Sequence, residues 1–290
     1  MNALRHPLPL EYKRQIPAGP LFHEVNQVLA EERLNTICVS GKCPNRGECF
    51  SRGSLAFMIL GDICTRHCGF CAVKAGQPEG VDAREPQRLA RAAAALNLRH
   101  VVITSVARDD LADGGASIFA ECIRELHRHL PEGIVEVLTP DFNGDLHALD
   151  IVLAAGPDIF NHNLETVERL TPHVRSRAQY RRSLEVLDHV KRSRTTTAMK
   201  TKSGLMLGLG ETRDEVTQAL CDLRAVGCDY LTIGQYLQPS THHLSIHSFV
   251  PISDFQFWKD EAFRRGFERV ASGPLVRSSY FADQLHSPDA

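Results

Sequence analysis

The sequence predicts an α/β fold, a partial (β/α)6 barrel with an extension at each end, and three observations lead there. Six short apolar runs alternate with stretches of helical spacing. The segments after those runs are rich in glycine and polar side chains, as active loops are at the carboxyl ends of parallel strands. The length, 290 residues, suits one large core with small appendages. Strand–helix alternation implies parallel pairing through right-handed crossovers. Six units are too few for the closed eight-fold barrel, so an open or partial barrel is expected.

Taken in order, the first twenty residues, with Pro7, Pro9, Pro17 and Pro20, read as an extended arm. Leu21 to Leu34 has helical spacing, followed by a loop rich in Gly, Pro and Asn. The runs at Ala56–Leu60, Val101–Thr104, Val135–Leu138, Asp158–Phe160, Gly204–Leu207 and Tyr230–Ile233 read as buried strands. Glu85–Leu96, Ser117–Leu130, Gln179–Lys191 and Asp214–Val226 read as helices, and a last helix is expected at Asp254–Val270. With no internal repeat and no low-complexity linker, the division is 1–53 as an N-terminal extension, 54–250 as the barrel and 251–290 as a C-terminal helix and tail.

Composition narrows the function classes. A hydrophobic fraction of 43% and a charged fraction of 23% exclude a disordered or fibrous chain. A net charge of -2 supplies no broad basic field, so no nucleic-acid partner is expected. No apolar run approaches the roughly 20 residues of a membrane span, and the N-terminus has no signal core, so a cytoplasmic protein with no membrane partner is expected. Nine cysteines in such a protein point to metal or redox work rather than disulfides. Six of them fall between Cys38 and Cys71; Cys122, Cys221 and Cys228 read as small apolar packing residues.

Directly after the first strand comes Cys64-Thr-Arg-His-Cys68-Gly-Phe-Cys71. Three thiolates so spaced can wrap one face of a 4Fe-4S cluster and leave the fourth iron open to a ligand. Gly69 is expected to permit a tight backbone path between the last two cysteines. The alternative is a zinc site with His67 as fourth ligand, but zinc loops pair two cysteines with a second distant pair, and none follows. Upstream lies a second triad, Cys38, Cys43 and Cys49, in CVSGKCPNRGEC. By itself it fits a stabilising zinc or cluster that pins the N-terminal extension. Two triads so close together suit electron transfer or sulfur chemistry.

The motif from Cys64 to Cys71 resembles that of the radical S-adenosylmethionine superfamily. In that superfamily the open iron chelates the methionyl group, and an electron from the reduced cluster breaks the C–S bond to give a 5′-deoxyadenosyl radical. The whole set resembles the lipoyl synthases: both triads, a terminal Arg277-Ser278-Ser279-Tyr280, and the segments Thr104–Gly115, Asn161–Thr166, Lys202–Glu211 and Gly234–Pro239. The likeness runs from about Leu21 to Gln284.

That resemblance implies residue roles. Cys64, Cys68 and Cys71 would hold the catalytic cluster, and Cys38, Cys43, Cys49 and Ser279 an auxiliary 4Fe-4S cluster that gives up its sulfide. Phe70 would lie near the adenine of S-adenosyl-L-methionine, with Asn163 and Glu165 at the ribose hydroxyls. Gly208, Gly210 and Glu211 would lie near the methionine and adenine, and Ser105, Arg108 and Asp109 at the methionyl amine or carboxylate. Read without the resemblance, Glu211 caps the following helix and Arg108 with Asp109 forms a local ion pair. The implied reaction inserts two sulfur atoms, at C6 and C8, into a protein-bound octanoyl-lysine. The implied partners are octanoylated carriers (the glycine cleavage H protein and the lipoyl domains of 2-oxoacid dehydrogenase E2 subunits), an electron donor such as ferredoxin or flavodoxin, and an iron–sulfur carrier that rebuilds the auxiliary cluster. The basic run from Lys191 to Lys202 reads as a solvated loop, or as a docking patch for acidic carriers through Arg192 and Arg194. The rival readings are a biotin-synthase-like enzyme acting on a free small molecule and a non-catalytic iron–sulfur scaffold.

Overall fold

The computed structural model describes residues 19–193 and 199–280, together with Tyr12 and Ala282. Most of the proline-rich arm and Arg194 therefore lie outside the described residues. Seven parallel strands form the central sheet: β1 (Ala56–Ile59), β2 (His100–Ser105), β3 (Ile134–Leu138), β4 (Ile159–Asn161), β5 (Lys200–Leu207), β6 (Tyr230–Gln235) and β7 (Arg269–Gly273). Spatial order follows chain order, and a two-residue strand, Asn35–Thr36, adds antiparallel to the free edge of β1. Each crossover thus steps one place in the same direction, which coils the sheet into an open barrel.

All six expected strands are present; β7 was not expected. The expected helix to Val270 stops instead at Arg264, because Gly266 adopts φ +90°. The amides of Gly266 and Phe267 return to the carbonyls of Phe263 and Ala262, a closing turn that frees the next residues to pair with β6. One helix also goes beyond the expectation. Leu146–Ala154 starts where the Asp145 carboxylate accepts the amides of His147 and Ala148. Its apolar content hides the usual two-faced periodicity.

The helices are α1 (Pro20–Glu31), which ends three residues before the expected Leu34, α2 (Glu85–Ala95), α3 (Ala116–His129), α5 (Tyr180–Arg192) and α6 (Arg213–Ala225), these four within a residue of the sequence reading, and the two just described, α4 (Leu146–Ala154) and α7 (Ile252–Arg264). Their buried faces pack on the outside of the sheet: Leu89, Phe119, Ile123 and Leu149 against β1–β3, and Leu220, Leu223 and Trp258 against β5–β7. Each such side chain contributes about 1.5–3 kcal/mol of transfer free energy. No helix among the described residues is long and apolar enough to cross a membrane.

The basic run is not the free patch the sequence suggests. Lys191 pairs with Asp229 at 2.8 Å, Arg192 with Asp188 at 2.9 Å and Lys200 with Glu268 at 2.7 Å. Lys202 is buried inside the barrel, 2.8 Å from Glu136, which also meets His100 at 3.1 Å. Burial pushes the Glu136 carboxyl up, but Lys202 and His100 outweigh it and hold it down at about 2. The period-two alternation of β5 explains Lys202: its side chain points to the interior, where only a carboxylate on β3 makes it tolerable.

Candidate functional site

The loop between β1 and α2 carries the second triad. Its anchoring begins at Thr65, whose amide and hydroxyl both donate to the Ala107 carbonyl, at 3.0 and 2.9 Å. The Cys64 sulfur accepts the amides of Arg66 and Ala107 at 3.4 and 3.3 Å. Arg66 is buried, with a forked pair of bonds to Asp109 and a 2.7 Å contact to Asp141. Two carboxylates for one guanidinium make a rigid pin beneath the cysteines. Burial pushes the Cys68 thiol up to about 11 and the Cys71 thiol up to about 12, so binding a metal there releases protons.

The first triad lies across from it. Cys38 sits on the short helix Ile37–Ser40, whose first turn is capped by the Thr36 hydroxyl. Cys43 follows, its amide bonded to the Cys38 carbonyl at 3.1 Å. Burial and the neighbouring Cys38 raise the Cys43 thiol, and the buried guanidinium of Arg277 opposes them. Cys49, on the helix Arg46–Ser51, is buried behind the other two. All nine cysteines are free.

Between the triads lies a cavity of about 550 Å³ on the carboxyl ends of the strands. Cys38 and Cys43 border it on one side and Cys64, Cys68 and Cys71 on the other, with Ser278 and Ser279 in the wall. A volume of this order holds a nucleoside-sized ligand. The buried hydroxyls of Ser105 and Thr139 face it without a hydrogen-bond partner among the described residues, and orphaned donors of this kind mark a place for a polar ligand. No three His, Cys, Asp or Glu side chains among the described residues gather around a point that suits a single ion. Thiols spread around a larger space suit a multi-iron cluster, whose corners take one ligand each. His67 is exposed and outside the cavity wall, so it does not complete a zinc set with these cysteines.

Of the remaining expected residues, Phe70, Ser105, Asn163 and Glu165 border the cavity. Glu165 is held at φ +66°, an uncommon backbone for a side chain of its size. Its amide bonds to the Gly204 carbonyl and its carbonyl accepts the Met206 amide, fixing it beside β5. Asn163 donates to Glu165 at 3.1 Å and to the Ser278 hydroxyl at 2.6 Å. Gly204 makes room for that meeting, since a Cβ there would lie 2.8 Å from Asn163 Oδ1.

Arg108, Gly208, Gly210 and Glu211 do not border it. Arg108 is buried elsewhere, paired with Asp110 at 2.8 Å and donating to the Leu60 and Glu79 carbonyls. Asp109 is taken by Arg66. The Glu211 carboxylate accepts the amides of Gly208 and Leu209 at 2.6 and 2.9 Å, so it ties down its own loop. The cap of α6 belongs to Thr212 and Glu215 instead. Gly208 is glycine because a Cβ would collide with the Gln235 amide and lie 2.5 Å from the Ser248 carbonyl. The close approach there is of protein to protein.

Two cavity residues escaped the sequence reading. Arg175 is buried, donates to the Leu164 carbonyl and the Ser183 hydroxyl, and makes no ion pair among the described residues. His162 is bonded to the Thr139 carbonyl through Nδ1 and to Ser183 through Nε2, both at 2.9 Å. Burial and the nearby Arg175 push it down to about 4, so it is neutral at physiological pH. A signal for Arg175 existed in sequence: it follows Thr166 within ten residues, on the same strand-end loop system, but nothing local distinguishes it from Arg177.

Residues 58–223 match the family model described as the radical SAM superfamily. A lipoyl synthase of Symbiobacterium thermophilum is 53% identical over 91% of the chain and 82% of its own length. One from Thermus thermophilus is 52% identical over 96% of the chain and 86% of its own length. Among solved structures the chain resembles methylornithine synthase, with a TM-score of 0.56 at 12% identity over 92% of this chain and 88% of that one. It also resembles Streptococcus suis SuiB bound to S-adenosylmethionine, with a TM-score of 0.57 at 13% identity over 79% of this chain and 54% of that one.

Proposed function

The chain belongs to the lipoyl synthases, within the radical SAM superfamily, and on that premise we propose which of its residues do the family's work. The family's enzymes are sulfurtransferases that use S-adenosyl-L-methionine and 4Fe-4S clusters to put sulfur into an octanoyl group, and this chain is one of them. In our reading Cys64, Cys68 and Cys71 hold the catalytic cluster. Cys38, Cys43, Cys49 and Ser279 hold the auxiliary one. The observation that carries the assignment is that Cys38 and Cys43 of one triad and all three cysteines of the other border one cavity, with Ser279 in its wall. Ser278 is engaged by Asn163, which leaves Ser279 as the serine for the auxiliary cluster.

When bound, the two clusters and S-adenosylmethionine supply the reducing electron, the hydrogen-abstracting radical and the sulfur. The chain supplies position. Asn163 and Glu165 offer an amide and a carboxylate to the ribose hydroxyls, and Phe70 offers a face to the adenine. Arg175 takes the role first expected of Arg108: a buried guanidinium with no ion pair among the described residues suits the methionyl carboxylate. Ser105 offers its unpartnered hydroxyl nearby. His162, locked neutral between a carbonyl and a hydroxyl, holds the Asn163 segment without offering a proton to the chamber. Gly208, Gly210 and Glu211 act one layer out, by fixing the loop behind this wall.

The three-part division (1–53, 54–250, 251–290) belongs to the same reading, with β7 as the part of the last segment that continues the barrel. The substrates would be octanoylated carriers: the glycine cleavage H protein and the lipoyl domains of 2-oxoacid dehydrogenases. Electrons would come from a ferredoxin or flavodoxin, fresh sulfide from an iron–sulfur carrier, and all of this in the cytoplasm. Docking through the basic run has less support than its composition suggests, because its described cations are paired within the chain.

The test is anaerobic. Reconstituted protein is reduced and given S-adenosylmethionine with an octanoyl-lysyl peptide, and mass spectrometry follows 5′-deoxyadenosine and the peptide. A peptide gaining two sulfurs is expected. Deoxyadenosine with an unchanged peptide would overturn the substrate, and neither product from a cluster-loaded protein would overturn the residue assignments.

A further inference from the structure

Between β6 and α7 the chain runs without regular structure over residues 240–250, and this strap touches the cysteine loop at two successive points. The Leu244 amide donates to the Gly69 carbonyl at 3.0 Å, and His243 Nε2 meets the Cys71 carbonyl at 3.0 Å. A Cβ on Gly69 would sit 2.9 Å from Leu244 Cγ, and Gly69 is not among the residues of positive φ. The glycine of the cysteine motif is therefore required by the strap above it, not by a turn of its own backbone.

The strap is itself tied down. Tyr236 donates to the Leu244 carbonyl at 2.7 Å, Gln238 to the His243 carbonyl at 2.9 Å and Gln235 to the Ser248 carbonyl at 2.9 Å. The His247 amide reaches the Gly208 carbonyl at 2.8 Å. The imidazole of His243 is oriented from behind by Ser240, 2.8 Å from Nδ1. A carbonyl only accepts, so Nε2 carries the proton toward Cys71, while Nδ1 meets the Ser240 hydroxyl, which can serve as either donor or acceptor.

We propose that His243 is a positioning residue for the third cysteine, fixing the Cys71–Ala72 peptide so that the following amides stay aimed at the Cys71 sulfur. Peptide planarity carries the argument: a carbonyl held outward by His243 turns the Ala72 N–H the opposite way. Ala72 borders the cavity, and the backbone at Val73 opposes the rise that burial gives the Cys71 thiol, as an N–H directed toward the sulfur does. Hydrogen bonds to the sulfurs raise the reduction potential of an iron–sulfur cluster, and outer partners of this kind govern how firmly metal is held. The inference rests on the reading that Cys64, Cys68 and Cys71 hold the catalytic cluster.

The test uses reconstituted holoenzyme, with the cluster identified by the change that S-adenosylmethionine makes in its EPR signal. His243→Phe keeps the bulk and removes the donor; His243→Gln restores a donor near Nε2; His243→Asn places its amide too short to reach Cys71. Phe and Asn are expected to shift the midpoint potential of that signal downward and to speed iron loss to a chelator about ten-fold or more, with Gln close to wild type. An unshifted potential in either folded variant, Phe or Asn, overturns the proposal, as does a Gln variant that behaves like Phe. A wild-type protein with no S-adenosylmethionine-sensitive signal overturns the cluster assignment, and this inference with it.

Discussion

The two cysteine triads meet at one cavity, with Cys49 alone set back from it, but are held in different ways. Cys64, Cys68 and Cys71 sit on a loop pinned from below by Arg66 between the carboxylates of Asp109 and Asp141, from the side by Ala107, and from above by the strap at residues 240–250. Cys38, Cys43 and Cys49 sit around two helices of four and six residues, lengths that do not persist without tertiary support. Their support comes from the far end of the chain. Asn45 donates to the Leu275 carbonyl at 2.6 Å, and the Tyr280 hydroxyl to Glu48 at 3.2 Å. The contrast teaches that one cavity can carry two degrees of constraint. The triad assigned to the cluster that must survive each turnover is pre-organised, while the one assigned to the cluster that is dismantled rests on segments that can part.

Separating the triads by mutation should have the largest effect. Cys68→Ala is expected to abolish 5′-deoxyadenosine formation altogether, measured by chromatography after reduction with S-adenosylmethionine. Cys43→Ala is expected to leave deoxyadenosine formation in place and eliminate sulfur insertion, so that the same assay joined to peptide mass spectrometry shows one product without the other. Ser279→Cys should retain a four-ligand auxiliary cluster, visible by iron and sulfide analysis, yet lose most sulfur insertion, because a thiolate is displaced from iron less readily than a reprotonated alkoxide. Full activity in that variant would remove the reason for a serine.

The smaller effects concern support rather than ligands. Arg66→Leu leaves the buried Asp141 with Arg182, 3.3 Å away, as its one remaining described cation, and should cost up to about 3–5 kcal/mol in urea unfolding, more than any change among the exposed ion pairs. Gly69→Ala pushes on Leu244 and should cost only about 1–3 kcal/mol. If Gly69→Ala cost nothing, the strap would not be seated as firmly as its contacts imply.

Much of this was legible because the signals are local. β-Branched runs such as Val101–Thr104 announce strands, and cysteine spacing announces metal. β7 escaped notice because Arg269–Gly273 has a single buried apolar residue, Val270, and its turn signal sits in a glycine that a helical pattern tolerates. The site shows the same limit. Phe70, Ser105, Asn163 and Glu165 border the cavity, whereas Arg108, outside it, finds its partner two residues away in Asp110. Arg175 and His243 carry no local mark, since their meaning lies in contacts with segments far off in sequence. The ends of the Lys191–Lys202 run are quieter than composition suggests: charge is read from composition, but pairing of Lys191, Arg192, Lys200 and Lys202 with Asp229, Asp188, Glu268 and Glu136 is a matter of folding.

The staple between Asn45 and Leu275 spans 230 positions of sequence. Loop closure over such a separation is among the slowest contributions to folding, and during synthesis it cannot begin until Leu275 has been made. The barrel strands can pair progressively as they emerge, each beside the one before it, but the wall that holds Ser279 can join the first triad only after all seven barrel strands have been made. Loading of the auxiliary site is thereby placed after synthesis of the barrel, and a ribosome-bound fragment ending before Leu275 has the first three thiols without the wall that completes their chamber.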